Sequence, residues 1–485
     1  MRLVVENPHH GRRWYILALL GTAQLMVVLD ATVVNIALPS AQKALGFSDG
    51  ERQWIVTAYS LTFGSLLLAF GRVGDLFGRK LTLLIGLVGF SVVSAIAGAS
   101  QTFGVLVATR ALQGAFGALL APSALSLLTT TFTDPRERGT AFGIFGAVAG
   151  GGGALGLLLG GVLTEYLSWR WCLYVNVLIA VPAIFAAIVL LTNQVPPERP
   201  KFDWPGTFAA TLGLFGIVFG FSQAQPRGWS DPVTLISLAV GVLLLVAFAL
   251  IERRSQHPLL PLRIVLDRNR GGSYLSVLIS GAGIFAVFLF LTFYLQNNRG
   301  WSPVTTGLAF LPMVAMIVVA STTSNAILLA KVGPRPLVFT GMLLAACGML
   351  ILTQLKVDSS YAGHILPALL VTGLGLGLIF APAINTATLG VAPSDAGVAS
   401  ATVNSCQQVG GSIGTAFLNT MATTATASYL SGKIATPAVT AQAALHGYTV
   451  AFWWAAGIFA VGAAVALLLR PGVIRPSAEP VPVAA

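Results

Sequence analysis

The stretch WYILALLGTAQLMVVLDATVVNIAL, residues 14–38, is an apolar run that contains one charged residue, Asp30, and ends before Pro39. A helix of about 20 residues, rising about 1.5 Å per residue, crosses the hydrocarbon core of a bilayer, so this run predicts a membrane-spanning helix. A carboxylate at that depth costs several kcal/mol unless it is paired or hydrated. Asp30 therefore either bonds locally to Thr32 or Asn35 and fixes helix packing, or serves as a proton or cation site.

The composition of the whole chain excludes a soluble protein. Of its 485 residues, 55% are hydrophobic and 9% are charged, and the mean hydropathy is +0.83. So apolar a surface would aggregate in water, and the sequence therefore predicts an all-α polytopic membrane protein. The formal charge of +11 does not indicate nucleic-acid binding, because the basic residues are scattered through short loops. The three cysteines lie in apolar runs and suit neither a disulfide framework nor a metal site.

Fourteen apolar runs are long enough to span a membrane, which predicts fourteen helices. They lie near residues 14–38, 52–73, 81–99, 103–128, 140–163, 170–192, 205–224, 233–251, 273–295, 304–329, 337–355, 364–389, 397–421 and 449–470. The 53 glycines and 25 prolines suit membrane helices, which use both residues for close packing and kinks.

The distribution of Lys and Arg predicts the orientation, because cytoplasmic loops retain positive charge. With an even number of spans, both termini lie on one side, and that side carries 19 of the 27 basic residues while the other carries seven. Both termini are therefore predicted to be cytoplasmic. A reporter fused at Lys433, on the predicted outer side, tests this topology.

Two connecting segments are long. Residues 252–270 mix five arginines with apolar residues, a composition that suits either a segment lying among lipid headgroups or a solvated linker. Residues 422–448 are rich in Ala and Thr and are predicted to form an outer loop. The tail from residue 471 is rich in Pro and Ala and is predicted to be disordered.

The segment GRVGDLFGRK, residues 71–80, joins the second and third predicted spans. Its glycines let two helix ends approach closely, while an acid and paired bases stay available for ion pairs. This combination in a short intracellular turn resembles the signature loop of the major facilitator superfamily. The residues that the resemblance assigns to gating are Gly71, Arg72, Gly74, Asp75, Gly78, Arg79 and Lys80.

Arg110 is the one basic residue inside a predicted span. It lies about seven residues from the outer end of its helix, and Asp30 lies at a similar depth by the helical rise, so the two side chains could form a direct or water-linked ion pair. The other interpretation is that Arg110 extends its long side chain to the outer headgroups.

The stretch GIFGAVAGGGGALGLLLGG, residues 143–161, spaces glycines so that one helix face carries almost no side chains. A neighbouring helix can then pack backbone to backbone, which is ordinary in membrane bundles. The stretch also resembles the glycine and proline motif on the fifth helix of facilitator-superfamily antiporters, although Leu157 replaces the usual proline. The residues carried over from that motif are Gly152, Gly156, Gly160 and Gly161.

Seven stretches together resemble the fourteen-helix drug:proton antiporter family of that superfamily. They are LDATVVNIALP (29–39), WIVTAYSL (54–61), GRVGDLFGRK (71–80), RALQG (110–114), SWRWCLYVNV (168–177), FDWPG (202–206) and NSCQQVGGSIGTA (404–416). The resemblance implies two six-helix bundles, residues 1–192 and 271–470, with two inserted helices and a basic loop in 193–270 and a disordered tail in 471–485. It further implies a central cavity lined by helices one, four, nine and twelve, which opens alternately to each side.

The second-half counterpart of the signature loop, LLAKVGPRP (328–336), lacks the acid and most of the glycines. Gating is therefore expected to depend on the first copy, through Asp75 and Arg79. Within the resemblance, Asp30 and Arg110 are the residues expected to couple transport to protons.

The resemblance implies proton-coupled export of small lipophilic drugs or antibiotics across a bacterial cytoplasmic membrane, by a monomer without enzymatic activity, cofactor, metal or nucleic-acid partner. Proton-coupled uptake of a metabolite on the same scaffold is the alternative within transport. A membrane receptor or scaffold without solute flux is a third possibility, but it leaves Asp30 and Arg110 without a role. The lipid bilayer, protons and the lipophilic solute are the expected partners.

Residues expected to line the cavity are polar or aromatic and would bind by hydrogen bonding and stacking. The set is Asn35, Tyr59, Gln113, Phe293, Gln296, Asn385, Asn404 and Gln407. Asp30 is the one acid deep inside a predicted span, so neutral or singly charged substrates are expected to be favoured over dications.

Overall fold

Fourteen long helices make up most of the chain that the structure describes. The structure is a computed structural model and describes residues 10–47, 49–192, 203–255, 258–392, 395–434 and 436–472. The helices are α1 (Arg13–Leu45), α2 (Asp49–Phe77), α3 (Arg79–Gly98), α4 (Phe103–Thr131), α5 (Pro135–Tyr166), α6 (Trp171–Leu190), α7 (Trp204–Arg227), α8 (Pro232–Arg254), α9 (Arg268–Asn298), α10 (Val304–Val332), α11 (Pro334–Leu352), α12 (Tyr361–Thr388), α13 (Ala396–Leu430) and α14 (Pro437–Ala466). The predicted all-α architecture is confirmed.

Length and composition allow twelve of these helices to cross a membrane, and thirteen if the two parts of the bent α5 count as one span. The remaining long helix of the described chain, α13, is rich in Gly, Ser, Thr and amide residues. It packs against α2, α7, α9 and α14, so most of its surface faces protein and does not need an apolar side chain at every position.

Several helices begin where the sequence places a capping residue before proline. Asp134 accepts hydrogen bonds from the backbone N–H groups of Arg136 and Glu137 at the start of α5, and Asp231 caps α8 in the same way. Each cap precedes a proline at the first helical position, where its missing N–H has no cost. These caps therefore fix where α5 and α8 begin.

The packing of helices repeats between the two halves of the chain. In the first half α1 packs on α5, α2 on α4, α3 on α4 and α3 on α6. In the second half α9 packs on α13, α10 on α12, α11 on α12 and α11 on α14. The same four pairs thus recur with a shift of eight helices, which is the arrangement of two repeated six-helix bundles.

The two halves meet along α5 with α10 and α12, and along α2 with α13. The inserted helices α7 and α8 pack together, and α7 also contacts both α2 and α13. The inserted pair therefore lies beside the seam between the halves and covers the contact of α2 with α13.

The turn between α2 and α3 is shorter than predicted. Residues 71–77 belong to α2, and Gly78, with φ of 96°, is the one residue between the two helices. Gly333, with φ of 78°, occupies the same place between α10 and α11. Because only glycine adopts this left-handed conformation readily, the glycine that both copies retain is the one that the turn requires.

The segment after α8 matches neither interpretation of residues 252–270. Leu259, Leu260 and Ile264 are buried against the protein, with exposed fractions of 1%, 6% and 2%, and a one-turn helix covers Leu262–Val265. The segment is therefore packed on the bundle and is neither a free linker nor a peripheral lipid-facing helix. Leu266, which is exposed, is the exception.

The predicted outer loop 422–448 is also wrong, because α13 continues to Leu430 and α14 begins at Pro437. Alanine favours the helix, and threonines such as Thr423 and Thr426 bond back to carbonyl groups four residues earlier, which removes their demand for solvent. The tail from residue 473 lies outside the described residues.

Candidate transport site

Asp30, in the middle of α1, is buried and binds side chains of two other helices. Its Oδ2 accepts a hydrogen bond of 2.5 Å from Nη1 of Arg110 on α4. Its Oδ1 accepts from Nε2 of Gln113 at 3.2 Å and from Nδ2 of Asn176 on α6 at 2.7 Å. The carboxylate is thus held by one cation and two amides, all within the first half of the chain.

The interpretation that Asp30 bonds to Thr32 is wrong. The Thr32 hydroxyl donates to the backbone carbonyls of Val28 and Leu29, one turn earlier in the same helix. Asn35 also lies on α1, but its side chain is outside the described part of the structure. The described groups that bind the Asp30 carboxylate come from α4 and α6.

Arg110 is enclosed by protein, so it does not extend to the headgroups. Its side chain is 1% exposed, its Nε donates to the Ile55 carbonyl at 3.3 Å, and Nη1 also reaches Oε1 of Gln113 at 2.9 Å. The guanidinium lies 4.4 Å from the centre of the Tyr59 ring, which stacks on Phe63. These contacts satisfy the cation in a low-dielectric interior.

The polar cluster around Asp30 includes Ser94 and Asn176, for which the sequence predicted no role. Gln113 donates from Nε2 to the Ser94 hydroxyl on α3 at 2.7 Å, and Asn176 is fully buried. Oδ1 of Asn176 and the Tyr59 hydroxyl have no hydrogen-bond partner among the described residues. Ser94 and Asn176 could both have been found in the sequence as lone polar residues inside apolar spans, because buried polar groups in membrane helices are paired or functional.

The glycine stripe of α5 packs on α1 beside Asp30. A Cβ atom at Gly152 would lie 2.9 Å from Val28, and at Gly156 it would meet Thr32. At Gly160 it would lie 3.1 Å from the Val33 carbonyl, and Gly161 is buried next to it. The stripe therefore lets the backbone of α5 lie against the helix that carries the carboxylate.

The bend of α5 does not depend on the missing proline. The helix bends by 45° between its parts Pro135–Gly153 and Leu155–Tyr166, directly after the run of glycines at 150–153. Consecutive glycines weaken a helix enough to allow such a bend. Leu157, which replaces the usual proline, is buried.

At the end of the bundle where α2 ends and α13 begins, called here the inner end after its predicted orientation, Asp75 joins the two halves. Its Oδ1 accepts from the backbone N–H of Gly397, at the start of α13, and from Nη2 of Arg79, both at 3.1 Å. The N-terminus of α13 favours this negative charge. Gly71 lets the helices meet, since a Cβ there would lie 2.9 Å from the Gly397 carbonyl oxygen.

The other residues of the predicted gating segment bind near the same end. Nη1 of Arg72 lies 3.9 Å from Oδ1 of Asp395, immediately before α13. Lys80 donates to the carbonyls of Ile188 and Leu191 at the end of α6, within the first half. A Cβ atom at Gly74 would meet the hydroxyl groups of Thr82 and Ser123, both in the first half. Gly71, Arg72 and Asp75 thus make the cross-half contacts described for this segment.

Arg138, in the first turn of α5, forms a second cross-half contact. Its Nε donates to Oδ1 of Asn385 and its Nη2 to the Thr388 hydroxyl, both at 2.9 Å, in the last turn of α12. The cation therefore lies at the negative end of α12, while Asp75 lies at the positive end of α13. The first half holds both ends of the α12–α13 connection with charges of opposite sign.

The predicted cavity residues do not share one place. Tyr59 and Gln113 belong to the Asp30 cluster, Asn385 binds Arg138 and Asn325 at the inner end, and Asn404 donates to the Ser400 carbonyl of its own helix. Three further members of the set, on α9 and α13, are placed as follows. Gln407 is half-buried where α13 meets α9, Gln296 is half-buried in the last turn of α9, and Phe293 is 38% exposed, 6.4 Å from the Tyr448 ring.

Tyr448 lines a cleft of about 510 Å³ between the ends of α9 and α14, together with Asn297 and Asn298. Helix α9 has two π-helical turns here, Val287–Leu291 and Tyr294–Asn298, and the second supplies Asn297 and Asn298 to the cleft. Phe293 therefore lies near open space at the outer end, away from Asp30 and from Asn385. The residues predicted to line one cavity therefore lie at separate places in the described arrangement.

These features define a class of protein: a multi-pass helical membrane bundle of two repeated halves, with a buried ion pair in the first half and helix-end contacts between halves. The family model described as Major Facilitator Superfamily matches residues 20–415. The chain belongs to that superfamily and is a membrane transporter.

Related proteins agree with this assignment. The chain is 51% identical over 460 residues to the puromycin resistance protein pur8 of Streptomyces alboniger, covering 94% of this chain and 91% of the relative. It is 39% identical over 466 residues to the cephamycin export protein CmcT of Amycolatopsis lactamdurans, covering 95% of each. The crystal structure of the human organic anion transporter MFSD10 (TETRAN) shares the fold, with a TM-score of 0.63 at 15% identity, covering 94% of this chain and 99% of that one.

Proposed function

We propose that this transporter exports small lipophilic molecules, neutral or singly positive, across the bacterial cytoplasmic membrane in exchange for protons. The observation that carries the proposal is the buried Asp30 carboxylate, held by Arg110 inside the first half. The names of the relatives, which describe resistance to puromycin and export of cephamycin, support the direction of transport and the class of substrate.

In this proposal the Asp30 side chain alternates between an ion pair with Arg110 and a protonated state. Oδ2 of Asp30 binds either Nη1 of Arg110 or a proton. When α1 and α4 shift relative to each other, Nη1 of Arg110 withdraws from Oδ2, and that oxygen takes up a proton from the outer side. When the pair re-forms, the proton leaves toward the inner side. Gln113 and Asn176 hold the carboxyl group in both states.

The inner end controls access to the transport path. In the described arrangement, Asp75 binds the start of α13 and Arg138 binds the end of α12, so the halves are joined there. A solute from the cytoplasm enters only when both contacts separate. Because each contact is a charge on a helix end, separation exposes both partners to water and does not leave them buried and unpaired.

The orientation of the chain completes the proposal. Nineteen of the 27 Lys and Arg residues lie on the predicted inner side, which supports a cytoplasmic position for both termini. Outward export from that side requires proton entry from outside. The proton gradient of a bacterial cytoplasmic membrane has this direction.

Everted membrane vesicles test the proposal, with puromycin as the probe. An exporter loads puromycin into energised everted vesicles, and its addition releases protons from their interior. Vesicles without the transporter are the control for leakage. Loading that does not respond to collapse of the proton gradient would contradict proton coupling, and puromycin leaving the vesicles on energisation would contradict export.

A further inference from the structure

Asp395, just before α13, is shared by two arginines, one from α2 in the first half and one from the segment that joins α8 to α9. Nη2 of Arg263, in the segment before α9, lies 2.8 Å from its Oδ2, and Nη1 of Arg72 on α2 lies 3.9 Å from its Oδ1. The Asp395 side chain is 8% exposed. It stands two residues before Gly397, whose N–H group binds Asp75. The carboxylate is therefore part of the inner contact between halves.

The backbone that carries Arg263 is fixed to the inserted helix α8. The carboxylate of Glu252, which is 5% exposed, accepts hydrogen bonds from the N–H groups of Leu259 and Leu260 at 3.1 and 3.0 Å. Both leucines are buried, as is Ile264. Residues 258–266, called here the strap, are thus anchored by one buried acid and three apolar side chains.

We infer that Arg263 is a positioning residue of the inner gate, and that Glu252 and the strap hold it there. The inference rests on the proposed function only in requiring that the inner ends of the halves separate during transport. When α2 moves away with Arg72, Asp395 keeps a cation, because Arg263 lies five residues before α9, which packs on α13. The inserted helices therefore stabilise the state in which the inner end is open.

The sign of the effect follows from the charges that face Asp395. In the closed state Arg263 and Arg72 both bind one carboxylate and repel each other, whereas in the open state Arg263 binds it alone. Removing Arg263 takes away that repulsion and leaves Asp395 with Arg72 as its described arginine partner. The closed state becomes more favourable, so transport slows although a salt bridge has been lost.

Spin-label distances measure the two states without any transported solute. Labels are placed at Phe77, exposed at the end of α2, and at Ala392, exposed before α13, in a background with the three native cysteines replaced by alanine. Because Arg263 is 73% exposed, its pairing is screened, and Arg263→Ala is expected to raise the ratio of short to long distances by about two- to fivefold. Arg263→Lys, which keeps the charge, should retain most of the original ratio.

Three further variants make the result specific. Arg254→Ala removes another exposed arginine one segment earlier and should leave the distances unchanged. Glu252→Gln loosens the strap and should shift the ratio in the same direction as Arg263→Ala, with no further change in the double variant. Asp75→Asn should lengthen the distances, because it weakens the contact that closes the gate.

An unchanged or lengthened distance in Arg263→Ala, beside a lengthened distance in Asp75→Asn, would overturn this inference and leave the proposed export intact. If neither variant changes the distances, the inner ends do not separate, and both the inference and the proposed alternation fail. A shift of equal size in Arg254→Ala would also overturn the inference, since it would show a general effect of charge.

Discussion

The buried pair of Asp30 and Arg110 makes a quantitative prediction about stability. Both side chains are at most 1% exposed, so neither charge is compensated by water. Arg110→Gln removes the cation and leaves the carboxylate with the amides of Gln113 and Asn176. Breaking one partner of a buried ion pair costs about 3–5 kcal/mol, and this is the expected loss in the free energy of unfolding. The purified variant should therefore melt well below the wild type.

The double variant Asp30→Asn/Arg110→Gln separates charge from packing. Asparagine removes the uncompensated charge, so the double variant should be more stable than Arg110→Gln alone, although it should not transport against a gradient. Thermal unfolding in detergent, followed by intrinsic tryptophan fluorescence, measures both proteins beside the wild type. Wild-type stability of Arg110→Gln, or a double variant less stable than Arg110→Gln, would refute a charged, buried pair.

Three other predictions concern the gate, the glycine stripe and the substrate. Gly397→Ala places a methyl group 2.7 Å from the Asp75 carboxylate carbon, so it should disrupt a charge-assisted contact worth about 1.5–3 kcal/mol and open the inner end. The accessibility of the inner gate to thiol reagents measures this change. Gly457→Ala is the control, because a Cβ there meets nothing within 4 Å. Gly156→Ala forces Thr32 to move and should lower the free energy of unfolding by about 1–3 kcal/mol, whereas Gly21→Ala, which also meets nothing within 4 Å, should have no such effect in the same melting assay. Efflux of monocationic dyes should fall as the external pH rises, and bis-quaternary compounds should be poor substrates because Asp30 offers one negative charge; efficient efflux of a bis-quaternary biocide from cells would contradict this.

Hydrophobicity predicted the architecture well, because a bilayer leaves few alternatives to long apolar helices. The predictions failed where side chains other than apolar ones decide the structure. The Ala and Thr residues of 422–448 extend two helices, since threonine hydroxyl groups bond to the backbone and need no water. The strap at 258–266 is buried by three apolar residues and one acid, a pattern too short to show a period.

The sequence predicted the partners of Asp30 only in part. Helical depth brought Arg110 to the right level, because rise per residue is fixed. Asn176 lies on a helix whose rotation about its axis the sequence does not specify, so its bond to Asp30 could not be predicted. The same holds for Arg138, whose partners Asn385 and Thr388 lie about 250 residues later in the chain. Both partners are neutral, so no opposite charge in the sequence indicated the contact. The residues predicted to line the cavity lie apart for the same reason, because the sequence does not specify how each helix is rotated about its axis.

The Asp30→Asn variant tests the central claim most directly. In proteoliposomes with an imposed proton gradient and puromycin as the probe, the wild type should move puromycin against its concentration gradient and carry protons the other way. Asp30→Asn keeps the shape and the hydrogen-bonding capacity of the side chain but does not take up a proton. The account predicts that this variant loses gradient-driven transport and proton movement together, while facilitated exchange down the puromycin gradient persists. Full gradient-driven accumulation by Asp30→Asn would contradict the account.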